Sequence, residues 1–198
     1  MSSRRSFLLF ALTLALTGCA SRFMVRADGP LTMTPRPDLA TVVFVRPSSF
    51  GAALHPTIFD ERGRFLGDAE ASSHFMVQLP AGEHMFVVWA ENTGPIRAKL
   101  SPGRVYFVEV AIKPGWWTAR AHLLAIAPRS DQWTHLRDWL ADTRPTITDQ
   151  AAGQAYLDDR RDDVAERLRR AREALGEMDA EELDDRTLQP NDGIAQPL

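Results

Sequence analysis

The sequence predicts a mainly β protein: a small antiparallel β-sandwich, of immunoglobulin-like or prealbumin-like type, followed by an α-helical C-terminal appendage. Between residues 40 and 128, short apolar runs rich in β-branched and aromatic residues are separated by turn residues every 8 to 12 positions. This spacing is typical of a sandwich or a barrel. After residue 128 the apolar positions recur at steps of three and four residues, which indicates helices.

The sandwich begins with a strand and a hairpin. Residues 41–46 are rich in β-branched side chains and end at Pro47-Ser48-Ser49, which predicts a strand followed by a turn. Residues 57–59 and 64–66 flank the sequence Asp-Glu-Arg-Gly, which predicts a hairpin with a glycine in its turn. Further strands are predicted at residues 74–79, 85–90, 96–100, 105–112 and 117–127.

The C-terminal region carries the helical pattern. Ser130 and Asp131 are good N-caps for a helix to about residue 142, and a second helix is expected to start near Asp149, after the break at Pro145. From residue 159 to 178 the apolar positions step by four, three, four and three, which forms a heptad seam too short to establish a coiled coil. This helix seam consists of Val164, Leu168, Ala171, Leu175 and Met178.

The N-terminus has the pattern of an export leader. Arg4 and Arg5 precede an uncharged run of ten residues, which is too short for the roughly 20 residues of a membrane-spanning helix and therefore indicates a signal sequence that is removed. The arginine pair also fits the twin-arginine pattern, so the export route stays open between this and a simple basic start. The run ends at a small-residue motif that contains the chain's only cysteine: Leu16, Thr17, Gly18 and Cys19.

This motif resembles the lipobox of bacterial lipoproteins. The resemblance implies cleavage before Cys19, a diacylglycerol thioether on its sulfur and acylation of the new amino terminus. Several acyl chains would hold the protein firmly on a bilayer. The alternative to lipidation is that Cys19 is a buried free cysteine. Ala20 stands where inner-membrane lipoproteins of Gram-negative bacteria carry aspartate, which implies the periplasmic side of the outer membrane.

The expected organisation follows from these patterns. It comprises a cleaved leader (1–18), a lipidated tether (19–39), the sandwich (40–128), the helical appendage (129–180) and a disordered acidic tail (181–198). Without Arg4 and Arg5 the chain carries 21 basic and 26 acidic side chains, a net charge of −5. That balance lacks the basic surface that nucleic-acid binding requires, so no nucleic-acid partner is expected.

A family resemblance covers about half of the mature chain, from residue 41 to 127. Four motifs occur in order: the Arg-Pro-Ser-Ser at 46–49, the hairpin at 57–66, the Pro-x-Gly-x-His at 80–84 and the Pro-Gly-x-x-Tyr at 102–106. In this order they resemble a bacterial family catalogued as domain of unknown function 2846. Many members are lipoproteins, which agrees with Cys19. The resemblance implies neither an activity nor site residues.

Motifs for catalysis and metal binding are weak. The five histidines show no HxH or HExxH spacing, and only His74 and His84, beside one predicted turn, are placed to share a metal. We expect them to be exposed or capped instead, with no metal and no cofactor. The sequence has no nucleophile elbow and no phosphate loop, so an enzyme is not expected. The alternative is a cell-wall-polymer hydrolase, which would need two carboxylates at a set distance from each other. Four acids are candidates, but the sequence alone cannot show which of them lie close together: Asp60, Glu61, Glu83 and Glu109.

Two candidate binding surfaces remain on the predicted sandwich. Trp116 and Trp117 are adjacent in a predicted strand, so their side chains point to opposite faces. One ring can reach a ligand, but we favour packing of one of them against Trp133 and Trp139 of the first helix. A polar loop at Arg46, Ser48 and Ser49 is the second candidate, although such loops mostly just turn the chain.

The helix seam has two equally weighted roles. It can dimerise or bind another envelope protein, or it can fold back on its own domain or remain a solvated charged helix. Taken together, the sequence predicts a non-enzymatic lipoprotein that binds or scaffolds at the periplasmic face of the outer membrane.

Overall fold

A computed structural model describes residues 21–115 and 119–196. Within them the fold is mainly β, with two mixed sheets and four helices. The strands are β1 (Met24–Arg26), β2 (Ala40–Arg46), β3 (Thr57–Asp60), β4 (Phe65–Asp68), β5 (Ser73–Leu79), β6 (Gly82–Trp89), β7 (Thr93–Leu100), β8 (Arg104–Pro114), β9 (Ala119–Ile126), β10 (Arg144–Thr148) and β11 (Thr187–Leu188). The eight strands expected between residues 40 and 128 are confirmed as β2 to β9, apart from residues 117 and 118, which lie outside the described part.

The two sheets share one hydrophobic core. Sheet one has the order β1-β10-β5-β2-β8-β9, and sheet two has the order β11-β7-β6-β3-β4. Phe44 of sheet one stacks on Phe75 and meets Phe86 of sheet two edge-on, with ring centroids 5.6 Å apart for the latter pair. All three rings are buried, and this burial of aromatic surface is a main source of the stability of the core.

The prediction of purely antiparallel sheets is wrong. Strand β2 pairs in parallel with β8, with Val42 opposite Tyr106. Strands β10 and β11 also join their sheets in parallel, on β5 and β7. Parallel neighbours need long crossover connections, and here these are made by sheet two between β2 and β8 and by the helices before β10 and β11.

Four helices follow or separate the last strands. They are α1 (Gln132–Asp142), α2 (Gln150–Asp158), α3 (Arg161–Glu177) and α4 (Ala180–Asp185). The predicted start at Asp149 is confirmed, because its carboxylate accepts a hydrogen bond from the Ala152 N–H at 3.0 Å. Helix α1 covers the outer face of sheet one through Leu136. Helices α2 and α3 cover the outer face of sheet two.

The region after residue 128 is part of the β fold and not only an appendage, because it adds one strand to each sheet. Strand β10 contains Pro145, which was expected only to interrupt the helices. The tail expected to be disordered instead forms α4 and β11, and Leu188 is fully buried against the core. Tyr106 also donates to the Pro190 carbonyl at 3.0 Å. These contacts bridge more than 80 residues of sequence, so local composition does not reveal them.

Candidate functional site

The chain is fixed to the domain from the first described residue. The Ser21 N–H donates to Glu70 Oε1 at 2.6 Å, and the Ser21 hydroxyl donates to Asp68 Oδ2 at 2.6 Å. Burial raises the pKa of Asp68, which also accepts from Thr57 Oγ1 at 2.8 Å. Two residues later, Phe23 is buried beside Phe65 under α2. The flexible tether predicted for residues 19–39 is therefore wrong at its start, since Ser21, Phe23 and β1 are integral to the fold.

A cleft of about 900 Å³ lies between the segment after β1, the end of α1 and the start of β10. Its lining includes the apolar side chains of Leu31, Met33 and Leu140. Two exposed arginines, Arg26 and Arg137, also line it. The cleft therefore combines an apolar wall with two cations and the carboxylate of Asp28. This excess of one positive charge suits a ligand that has an apolar part and an anionic group.

His74 forms part of the cleft wall and is almost completely buried. Its Nδ1 lies 2.8 Å from Thr143 Oγ1, and that hydroxyl donates to the Trp139 carbonyl at 2.5 Å. Because the hydroxyl proton is used there, Nδ1 of His74 is the donor to Thr143, and Nε2 is left as an acceptor. Burial lowers the pKa of His74, so the ring is neutral at pH 7 and carries its acceptor at Nε2.

Arg46 does not form the polar surface expected of it. Its side chain is fully buried and donates to four backbone carbonyls at 2.6 to 2.9 Å: those of Phe50, Gly51, Leu54 and Ala69. Ser48 Oγ accepts from the Phe50 N–H at 3.0 Å, while Ser49 is exposed. Arg46 therefore organises the loop after β2 from inside, and only Ser49 of the three residues is freely accessible.

Trp116 and Trp117 lie outside the described residues, so their expected role stays a prediction. The helix that one of them was expected to hold is fixed by other residues. Trp133 meets Phe107 edge-on with centroids 6.3 Å apart, and Trp139 stacks on His135. Both tryptophans pack against the outer face of sheet one.

The shared metal site considered for His74 and His84 is not formed. His74 is on β5 of sheet one and His84 is on β6 of sheet two, so the turn between them connects the sheets rather than two paired strands. His84 Nε2 contacts the Pro80 carbonyl at 3.0 Å, and its Nδ1 is 3.6 Å from Glu61. Among residues 21–115 and 119–196, no group of three or more histidine, cysteine or acidic side chains is placed to hold a metal ion.

The helix seam folds back on its own domain. Val164, Ala171 and Leu175 are buried and Leu168 and Met178 pack beside them, all on the sheet-two cluster that contains Phe59, Phe65 and Val87. Arg167 adds a cation–π contact with Trp89 at 4.3 Å and donates to Thr93 Oγ1 at 2.9 Å. Of the roles considered for the seam, the contacts match folding back, because all five seam residues pack in this cluster.

The lipobox residues Leu16, Thr17, Gly18 and Cys19 precede the described part of the chain, so lipidation stays a prediction. Over the described residues no helix is both long and apolar enough to cross a membrane. Comparison of the chain with protein-family models, with curated proteins and with solved structures finds no match in any of the three. The resemblance to the family catalogued as domain of unknown function 2846 accordingly stays an expectation from the four motifs.

The cleft residues were not singled out from the sequence. Arg26 and Arg137 are 111 positions apart, and each is one exposed arginine in a chain of 23 basic residues. Thr143 follows the expected end of a helix and has no sequence feature that marks it as a site residue. Only His74 was considered as a site residue, as one of two histidines that could share a metal, and it was expected to be exposed or capped; it is buried and capped by Thr143.

Proposed function

We propose that this protein is a lipid-anchored, non-enzymatic binding module at the periplasmic face of the outer membrane. The cleft beside His74 carries the binding part of this proposal, since it joins an apolar wall, two arginines and one buried acceptor. Pockets of this size with a few converging polar groups are the usual form of a small-ligand site. The two-sheet core supports them as a rigid platform, for which an immunoglobulin-like or prealbumin-like sandwich remains our proposal.

The anchor part of the proposal rests on the lipobox and on the seating of Ser21. Cys19 is only two residues before Ser21, the first residue that is hydrogen-bonded to the domain. The lipid attachment would then be continuous with the folded domain, and membership in the family catalogued as domain of unknown function 2846, in which lipoproteins are common, is in accord with it. A partner bound through the helix seam is no longer proposed, because the seam is packed against sheet two.

The contacts of the polar groups favour binding over hydrolysis. Asp68 and Glu70 are engaged by Ser21 and Thr57, so neither carboxylate is aimed at a substrate position. In the His74–Thr143 pair the hydroxyl donates to a carbonyl and not to the imidazole, which is the reverse of nucleophile activation. These observations support the binding module. The alternative, a cell-wall-polymer hydrolase, would have to use Glu61 and Glu83, which line a second cleft beside His84.

Site-specific photocrosslinking in intact cells tests this function. A photoreactive amino acid at Ala141, which lines the cleft, is compared with the same residue at Ala165, an equally exposed alanine on the outside of α3. We expect adducts from position 141 that disappear in the Arg26→Gln, Arg137→Gln double variant, because both substituted positions are exposed and line the cleft. Equal adducts from positions 141 and 165, or adducts that ignore the two arginines, would refute the cleft as the binding site.

A further inference from the structure

The loop between β2 and β3 presents an apolar surface to solvent. This loop, residues 47–56 with the sequence PSSFGAALHP, contains no aspartate, glutamate, lysine or arginine and is called the apolar loop below. Phe50 is 52% exposed, and Ala52 and Ala53 are exposed beside it. Val25 and Ile147, the other large apolar side chains exposed among the described residues, lie in strands, whereas Phe50 stands at the tip of a loop with two exposed alanines. A bilayer interface would cover such an apolar tip.

Arg46 fixes the shape of the apolar loop. Its guanidinium donates to the carbonyls of Phe50, Gly51 and Leu54 within the loop, and to Ala69 outside it. Gly51 adopts a positive φ of 66°, which lets the chain turn sharply beside the guanidinium. Four hydrogen bonds to one buried charge hold the backbone in place, so the Phe50 ring is kept outside and cannot fold into the core. A preformed apolar tip loses little conformational entropy when it binds.

The apolar loop and the chain's N-terminal end meet on one short segment. Ser21 is bonded to Asp68 and Glu70. The loop is bonded to the same stretch, through Ala69 N–H to the Pro56 carbonyl at 2.9 Å and Ser72 N–H to the Ser48 carbonyl at 3.3 Å. The segment from 68 to 72 spans at most about 14 Å, and Cys19 is within about 7 Å of Ser21. The lipid attachment and the apolar loop therefore share one end of the domain.

Three exposed or half-exposed cations lie at this end of the domain. Ile112 lies against the loop, because a Cβ built on Gly51 would be 3.4 Å from Ile112 Cγ2. The next residue, Lys113, is exposed, as is its cross-strand partner Arg120. Arg144 is half exposed and lies 3.8 Å from Glu70. Positive side chains beside an apolar tip match an anionic lipid surface, where each contributes to attraction over a Debye length.

We propose that the apolar loop docks into the interfacial layer of the bilayer that holds Cys19, with Phe50 inserted and Lys113, Arg120 and Arg144 facing anionic headgroups. This docking rests on the proposed lipid anchor, because a lipidated Cys19, two residues before Ser21, is what would keep the apolar loop next to a membrane. The domain is then held by this end against the bilayer in one orientation instead of swinging on a tether. The start of β10 and of β5, which bound the cleft, lie near the same end, so the cleft is held close to the lipid surface.

Fluorescence quenching in vesicles tests the docking. The lipidated full chain is reconstituted into vesicles of phosphatidylethanolamine and phosphatidylglycerol with Ala52→Cys labelled by a polarity-sensitive dye. Ala81→Cys is the matched control, because Ala81 is an equally exposed alanine in the turn at the far end of β5. We expect brominated lipids to quench the dye at position 52 and not at 81, and aqueous iodide to show the opposite preference. Adding Phe50→Ser should abolish the bromolipid quenching.

Each other outcome contradicts a defined part of this inference. If the protein stays on the vesicles while iodide reaches positions 52 and 81 equally, the anchor stands and the docking is refuted. If position 52 is shielded from iodide but not quenched by brominated lipid, the loop is covered by protein and the bilayer is the wrong occupant. If the protein floats free of the vesicles with an unmodified Cys19 thiol, the proposed anchor is refuted and the docking with it.

Discussion

Gly153 of α2 gives the sharpest test of how the helices attach to the sheets. A Cβ at this position would lie 2.1 Å from Phe65 Cδ1 and 2.2 Å from Phe65 Cε1. The Phe65 ring is fully buried and is held by Phe23, so it has no free direction in which to move. Overpacking of this kind typically costs about 1–3 kcal/mol, and the better helix propensity of alanine returns about 1 kcal/mol. The two terms leave a net destabilisation of about 0–2 kcal/mol. Because the ring cannot move aside, we expect Gly153→Ala to destabilise the fold by about 2 kcal/mol, the upper end of this net range.

Gly176 of α3 supplies the matched control. A Cβ at this position meets nothing within 4 Å, so Gly176→Ala should stabilise the fold by about 0.5–1 kcal/mol through helix propensity alone. Urea unfolding followed by circular dichroism measures both variants at constant m-value. Opposite signs are expected for the same chemical change. If Gly153→Ala is neutral or stabilising, α2 is not docked on Phe65 and the integration of the helices into the fold is wrong.

Three further predictions concern buried groups. Arg46→Met removes four hydrogen bonds to carbonyls and should cost about 3–5 kcal/mol in thermal unfolding; a loss under 1 kcal/mol would contradict its organising role. Leu175→Ala, 4% exposed, should cost about 2–4 kcal/mol without changing the sedimentation coefficient, whereas lost self-association at constant stability would restore the helix seam as an interface. Burial, and then Arg186, lowers the pKa of His122 to about 4. Unfolded histidine titrates near 6.5, so the free energy of unfolding should decrease as the pH falls from about 6.5 to 4, by roughly 1–2 kcal/mol after allowance for partial exposure. His122→Gln should remove this decrease, and a urea unfolding curve that gives the same pH dependence for both proteins would refute the role of His122.

Local sequence rules predicted the elements that are stabilised locally. The β3–β4 hairpin follows from Asp60 and Gly63: the Asp60 carboxylate accepts from the N–H groups of Arg62 and Arg64, and Gly63 takes a φ of 75°. The start of α2 at Asp149 is an N-cap that needs only the next three residues. Each of these signals is complete within about five residues, so the sequence displays it in full.

Elements stabilised by distant neighbours were not predictable in the same way. Strand β10 is a five-residue segment with a proline, and it becomes a strand because β1 and β5 supply its partners. The composition around Ser21 predicts a tether, and Asp68 and Glu70, 47 and 49 residues away, are what fix it. Arg46 was missed for a different reason, since its acceptors are backbone carbonyls, three of them within eight residues, that no side-chain pattern reveals. The cleft could not be anticipated because three separated segments build it.

The anchor that places this domain at a membrane is tested most directly by mass spectrometry of the N-terminal peptide of the protein purified from cells. The account predicts a peptide that begins at Cys19 and carries a diacylglycerol group on sulfur and an acyl chain on the α-amine. A peptide with an unmodified Cys19, or one that still includes residues 1–18, would contradict the lipid anchor and the membrane-facing orientation inferred from it.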